Sequence, residues 1–269
     1  MQTQAPDLEY FAALAALEWQ IELGADCAIL DQPLDCYDLP DQLDKPRLPE
    51  PVAAAPARPA APVAVPAGPD PVVVARQAAG AAASLTALRE AIEGYDLCDL
   101  KKGARSTVFA DGNPAARVMI IGEAPGRDED QQGKPFVGRA GQLLDRMFAA
   151  IGLARATPDA QAALYITNVL PWRPPGNRDP EPAEIAQMLP FLTRHVELAG
   201  PDLIVLMGNA ACAAALGQRG ILRLRGTWTE AFGRPALPMT HPAYLLRTPA
   251  AKREAWADLL ALRARLIGG

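Results

Sequence analysis

Three short apolar runs, ARVMIIG (116–122), LYITNVL (164–170) and DLIVLMG (202–208), limit what this chain can fold into more than any other feature. Each run is continuous rather than alternating, the pattern of a strand buried on both faces. Between them lie segments with helical apolar spacing, RAGQLLDRMFAAIGL (139–153) and EPAEIAQMLPFLTRHVELAG (181–200). Pro190 is expected to bend the second helix or mark its first turn. After the third run, NAACAAALG reads as a short helix and GTWTEAFGRPALPMTHP as a hairpin leading to a further strand. AAKREAWADLLALRARLI closes the chain as a helix. This alternation predicts an α/β three-layer sandwich with a central, mainly parallel sheet. Ligands bind such sheets beyond the carboxyl ends of the strands. Glu123, Asn168 and His241 all stand at expected strand ends, which is the first functional signal.

Upstream the composition changes. Residues 8–24 have helical spacing ending at Gly24, so 1–38 reads as an N-terminal helical segment. Ten prolines follow between Pro40 and Pro71, and the Pro/Ala-rich stretch 39–81 reads as an extended, disordered linker. The folded domain is expected over 82–269, its first helix capped by Ser84. The opening MQTQAPDLEY lacks the basic-then-apolar pattern of a signal peptide, and no apolar run is long enough to span a bilayer. A cytoplasmic, monomeric protein with no membrane partner is the expectation. The four cysteines, Cys27, Cys36, Cys98 and Cys212, form no CxxC pair and suit a reducing compartment.

The net charge of -5 hides an asymmetry. Residues 1–81 carry 12 acidic and 4 basic side chains, whereas the remainder carries 19 and 22. A mildly basic body behind an acidic leader is compatible with a nucleic-acid partner, because binding depends on local charge.

The loop Gly122-Glu123-Ala124-Pro125-Gly126 has three open readings: a surface turn with solvated acids, a phosphate cradle, or a carboxylate held at a sheet edge. The phosphate reading is the weakest, since no Lys-Ser/Thr follows and the Gly-x-Gly-x-x-Gly spacing is absent. His241 precedes Pro242 and so sits in an extended strand-end backbone. His195, inside a helix, reads as an ordinary surface residue. Asn168 at the end of a buried strand is costly unless a turn or ligand satisfies its amide. NVLPWRPPGNRDPEP reads either as a rigid connection or as a place where Arg173, Asn177 and Arg178 meet phosphates. In KPFVGRAGQ, Phe136 is either a core residue or a base-stacking face.

Together, GEAPGRDEDQQGKPFVGRAGQLL, YITNVLPWRPPGNR and HPAYLLR resemble the family 4 uracil-DNA glycosylases, with the motifs in that family's order and spacing from about residue 90 to 265. The resemblance implies an α/β sandwich that hydrolyses the N-glycosidic bond of flipped-out deoxyuridine in DNA, leaving free uracil and an abasic site for base-excision repair. It implies catalytic roles for Glu123 and His241, and uracil contacts from Gly122, Ala124, Phe136 and Asn168. Glu129 and Asp130 stand as supporting acids. Pro125, Gly126, Arg173, Asn177, Arg178, Tyr244 and Arg247 stand as DNA contacts. The implied setting is the bacterial cytoplasm or nucleoid. The acidic N-terminal segment is a possible tether to a repair or replication protein.

Two departures matter. The family holds a 4Fe-4S cluster on four cysteines, but here only Cys98 stands at a ligand position, with Tyr95, Trp172 and Met188 at the others. One thiolate cannot hold a cluster that needs four, so no cofactor and no metal ligand set is expected, and apolar packing is expected in its place. Some relatives also carry a basic insertion ending in a histidine that captures the sugar. PPGNRDPEP has none, so turnover is expected. No lysine or N-terminal amine is evident for a lyase step, which points to a monofunctional enzyme. The rival from another class is a non-catalytic DNA-binding or polymerase-accessory module on the same fold. A nucleotide hydrolase is disfavoured by the missing phosphate lysine.

Overall fold

The structure is a computed structural model that describes residues 69–268. It opens with α1 (Pro71–Ala81), α2 (Leu85–Glu93) and α3 (Leu100–Gly103). Strands β1 (Asp111–Gly112) and β2 (Val118–Gly122) follow, then α4 (Arg127–Gln132), α5 (Arg139–Ala149) and β3 (Leu164–Asn168). Next come α6 (Pro182–Ala199), β4 (Leu203–Met207), α7 (Asn209–Leu216) and α8 (Ile221–Leu224). The hairpin β5 (Thr229–Ala231) and β6 (Arg234–Met239) leads to α9 (Pro242–Arg247) and α10 (Lys252–Gly268).

The three apolar runs form the centre of one six-stranded sheet in the order β1-β3-β2-β4-β6-β5. The β3-β2, β2-β4 and β4-β6 pairs are parallel, and only the edge strands β1 and β5 run antiparallel. Every residue of β2, β3 and β4 is buried, as the unbroken hydrophobicity requires. Met119, Ile121, Ile204 and Leu206 pack beneath α1, α2, α6 and α7 on one face. Val118, Ile120, Ile166 and Val205 pack on the other against Leu144 and Phe148 of α5 and Leu259 and Leu262 of α10. Each such fully buried side chain contributes about 1.5–3 kcal/mol. The result is the expected three-layer α/β sandwich.

Register and connection order decide where a ligand can sit. Gly122 pairs with Asn168, and Met207 with Met239, so β2, β3, β4 and β6 end at one edge of the sheet. From β2 the chain moves outward to β3, whereas from β4 it moves outward to β6 on the other side. The loops after β2 and β4 therefore part, and open a crevice at this switch point.

Three expectations need correction. Residues 71–81, assigned to the linker, form α1: Asp70 accepts the Val72 N–H at 2.9 Å, Pro71 occupies the first turn, and Ala75 and Ala79 are buried against the body. A small-residue face packs closely even within a Pro/Ala-rich composition. The rest of the expected linker and the N-terminal helical segment lie outside the described residues. Pro190 marks no first turn; it lies in the middle of α6, which runs through it. His195 is buried rather than exposed. Its Nε2 lies 2.8 Å from the Tyr165 hydroxyl, and its ring stacks on Phe109 at 4.4 Å. Burial holds its pKa down at about 3, so the ring is neutral.

Candidate active site

A cavity of about 550 Å³ opens at the carboxyl edge of the sheet. That size falls in the roughly 300–1,000 Å³ range of small-molecule sites. Glu123, Asn168 and His241, separated by up to 118 positions in the sequence, all line it.

The loop after β2 supplies Glu123, Ala124, Pro125 and Gly126 to the cavity wall. Burial raises the Glu123 pKa above the usual carboxylate range, the charge of Asp179 adds to this, and Arg219 opposes it. Asn168 ends β3 and is 7% exposed. Its Oδ1 has no hydrogen-bond partner among the described residues. A buried acceptor left so costs about 1–3 kcal/mol, which favours a ligand that donates to it.

His241 follows β6 and caps α9, its Nδ1 accepting the Ala243 N–H at 3.2 Å. The neutral ring therefore carries its proton on Nε2 and can donate to a ligand. Burial and the nearby Arg247 charge lower its pKa to about 4, against the opposing pull of Glu129. The Phe136 ring lies beside it, centroids 5.4 Å apart and tilted by 30°.

Of the supporting acids, Glu129 lines the cavity but acts mainly as a bracket. One oxygen accepts the N–H groups of Val137 and Gly138 at 2.9 Å, and the other accepts that of Gly126 at 3.1 Å. Asp130 lies away from the cavity and accepts from the backbone of Arg105 and Ser106. Asp128 is exposed. Asn177, Arg178, Tyr244 and Arg247 line the cavity, but Arg173 does not; it donates to Asn177 Oδ1 at 2.7 Å. The Arg178 guanidinium is paired with Glu184 at 2.5 Å and Glu181 at 3.3 Å. Its charge is already largely committed within the protein.

Three residues of this region carry no signal in the sequence. Thr240 lines the cavity with a fully buried hydroxyl that lacks a partner among the described residues. Asp179 lines it and acts on Glu123. Arg155 reaches the backbone of Phe136 from a distant loop.

Of the four positions at which the resemblance implies iron-sulfur cluster ligands, three hold side chains of another kind. Tyr95, Cys98, Trp172 and Met188 are all buried in one apolar cluster. The Tyr95 hydroxyl donates to the Pro71 carbonyl at 2.8 Å, and the Trp172 indole to Thr107 Oγ1 at 3.0 Å. Burial raises the pKa of the Cys98 thiol, opposing the thiolate a cluster needs. Among the described residues no three His, Cys, Asp or Glu side chains converge as a metal site. These residues do not fit a four-thiolate cluster. Among the described residues, no helix is long and apolar enough to cross a membrane.

The sequence model of the Uracil DNA glycosylase superfamily matches residues 109–260. A type-4 uracil-DNA glycosylase of Archaeoglobus fulgidus is 40% identical over 170 residues, covering 60% of this chain and 82% of that protein. That of Thermotoga maritima is 36% identical over 161 residues, covering 59% and 81%. That of Saccharolobus solfataricus is 37% identical over 177 residues, covering 62% and 79%. With the family match spanning more than half the chain and relatives covered over most of their length, this chain belongs to the uracil-DNA glycosylase superfamily, among its type-4 members.

Proposed function

We propose that this chain is a monofunctional DNA N-glycosylase whose cavity receives a deoxyuridine extruded from DNA and hydrolyses its N-glycosidic bond. A base inside a duplex cannot be reached by side chains, so the nucleotide must leave the stack before it is read. In the cavity Phe136 stacks on the uracil face. Asn168 accepts from uracil N3–H through Oδ1 and donates to O4 through its amide NH₂, a pattern that cytosine does not match.

Breaking the bond builds positive charge on the sugar and negative charge on the departing base. The Glu123 carboxylate offsets the first and holds the attacking water. The Nε2–H of neutral His241 donates to uracil O2 and stabilises the second, a kind of contribution worth roughly 3–4 kcal/mol. The leaving uracil anion takes up a proton from solvent, the attacking water passes one to solvent by way of the Glu123 carboxylate, and the water oxygen becomes the sugar hydroxyl of the abasic site. Among the described residues no lysine lines the cavity, which supports release of an abasic site without strand cleavage. The misfit at Tyr95, Cys98, Trp172 and Met188 supports an enzyme that works without an iron-sulfur centre.

The observation that carries the reading is the unpartnered, buried Oδ1 of Asn168, lining the same cavity as Phe136, His241 and Glu123. The test is release of uracil from a uracil-containing oligonucleotide by the wild type, Glu123→Ala and His241→Ala. Loss of release in both variants is expected, and full activity in both would sink the assigned roles. Wild-type binding to uracil DNA with no base release would favour a non-catalytic accessory module. Broad visible absorbance with stoichiometric iron in anaerobically purified protein would overturn the metal-free reading.

A further inference from the structure

We propose that Arg155 is a positioning residue that fixes Phe136 in the orientation needed to stack on the base. This rests on the assignment of Phe136 as the stacking residue.

The observation begins with the Phe136 backbone, which has a φ of +53°, a left-handed conformation that a bulky side chain rarely adopts. Something must hold it there, and two oppositely charged groups do so. The Arg155 guanidinium spans the residue, donating to the Pro135 carbonyl before it at 2.9 Å and to its own Phe136 carbonyl at 2.8 Å. On the C-terminal side, one Glu129 oxygen accepts the N–H groups of Val137 and Gly138. Two charge-assisted clamps, each gripping two backbone groups, thus hold the peptides on both sides of the strained residue and the one that follows.

Arg155 is itself fixed. It pairs with Asp145 at 2.8 Å and Asp111 at 3.1 Å, and its side chain is only 14% exposed. That leaves little of the guanidinium free for a DNA phosphate. Its planar set of donors meets two carboxylates and two carbonyls at once, which the single ammonium of lysine cannot do. Gly141 completes the arrangement, because a β-carbon there would collide with the Phe136 carbonyl. Without Arg155 the backbone is free to relax toward negative φ, which turns the Phe136 ring away from its place beside His241. Small misplacements of this kind carry large kinetic costs.

The test uses the full chain as wild type, Arg155→Gln, Arg155→Lys, Phe136→Ala and double variants combining each Arg155 change with Phe136→Ala. Single-turnover excision, inhibition by free uracil and melting temperature are measured for each, with kinetics taken well below every melting transition. Arg155→Gln is expected to slow excision and weaken uracil inhibition by about tenfold or more, with Arg155→Lys intermediate. In the Phe136→Ala background neither Arg155 change should cost anything further. Wild-type kinetics with a lowered melting temperature, or losses that simply add, would overturn the proposal. If Arg155→Gln does not fold, Arg155→Lys decides by the same criteria. Normal excision and uracil inhibition in Phe136→Ala would instead sink the stacking assignment itself. An impaired Phe136→Ala beside a normal Arg155→Gln would sink this proposal alone.

Discussion

Gly122 and Asn168 stand opposite each other on β2 and β3, so close that a β-carbon on Gly122 would overlap Asn168 Oδ1. The same β-carbon would come within 2.5 Å of the Phe136 ring. The two groups assigned to read and stack on the base therefore meet over a residue that has no side chain. Gly122→Ala is expected to lower single-turnover excision by on the order of 100-fold, because both groups must move. Overpacking of this kind costs about 1–3 kcal/mol of stability, so the variant should still fold. A folded variant with wild-type excision would show that the two groups are not jointly engaged.

The pH dependence of excision should report Glu123 rather than His241. The role assigned to Glu123 requires the carboxylate, and its pKa is raised above the ordinary carboxylate value. Excision should fall as pH drops through that raised value. His241, held down to about 4, stays neutral and competent throughout that fall. The raised pKa also has a stability consequence. The folded chain binds this proton more tightly than the unfolded chain, so ionising Glu123 costs stability as pH rises through its titration. Glu123→Gln should lose excision while melting no lower than wild type at neutral pH. A lower melting temperature would show that the ionised carboxylate is a net stabiliser.

The sheet and the strand-end trio were legible because both depend on local pattern. Continuous apolar runs announce buried parallel strands: Glu123 directly follows one, Asn168 lies within another, and His241 follows the further strand expected after the hairpin. What remained hidden depends on partners far away in the sequence. The burial of His195 is set by Tyr165 and Phe109, and the posture of Phe136 by Arg155, 19 positions downstream. Glu129 stands in the sequence as a supporting acid, but which groups it supports is set by three backbone amides that take up its carboxylate. Helix α1 was masked by composition, although Asp70-Pro71 is a helix-start signal in its own right.

His195 should make the protein acid-sensitive. In the unfolded chain a histidine takes up its proton near pH 6.5, whereas burial holds the folded His195 down to about 3. Stability from this group is complete above about pH 6.5 and is lost as pH falls toward 3. Replacing the pair together, as Tyr165→Phe with His195→Phe, avoids leaving the tyrosine hydroxyl without its partner. Urea unfolding across this range should then show a slope reduced by about one proton relative to wild type. The depressed His241 adds a second, separate proton. An unchanged slope in the double variant would mean that the buried His195 ring does not resist protonation.

Helix α1 lies within a stretch whose composition reads as linker, and truncation measures what it contributes. Helix α1 packs along α6 and buries Ala75 and Ala79 almost completely. The Pro71 carbonyl accepts from the Tyr95 hydroxyl, and the Ala82 carbonyl from Arg194 at 3.0 Å. Tyr95 stands at one of the positions that the resemblance gives to a cluster ligand, and α1 covers it through this bond. Removing residues 1–68 leaves all of these contacts in place and should alter neither excision nor melting temperature. Removing residues 1–81 takes the α1 face and the Tyr95 partner together, which should cost about 2 kcal/mol or more and lower the melting temperature by about 4 °C or more. Equal melting temperatures for the two truncations would show that α1 adds nothing to the body. Loss of excision on removing only 1–68 would assign the acidic leader a part in catalysis rather than in tethering a partner.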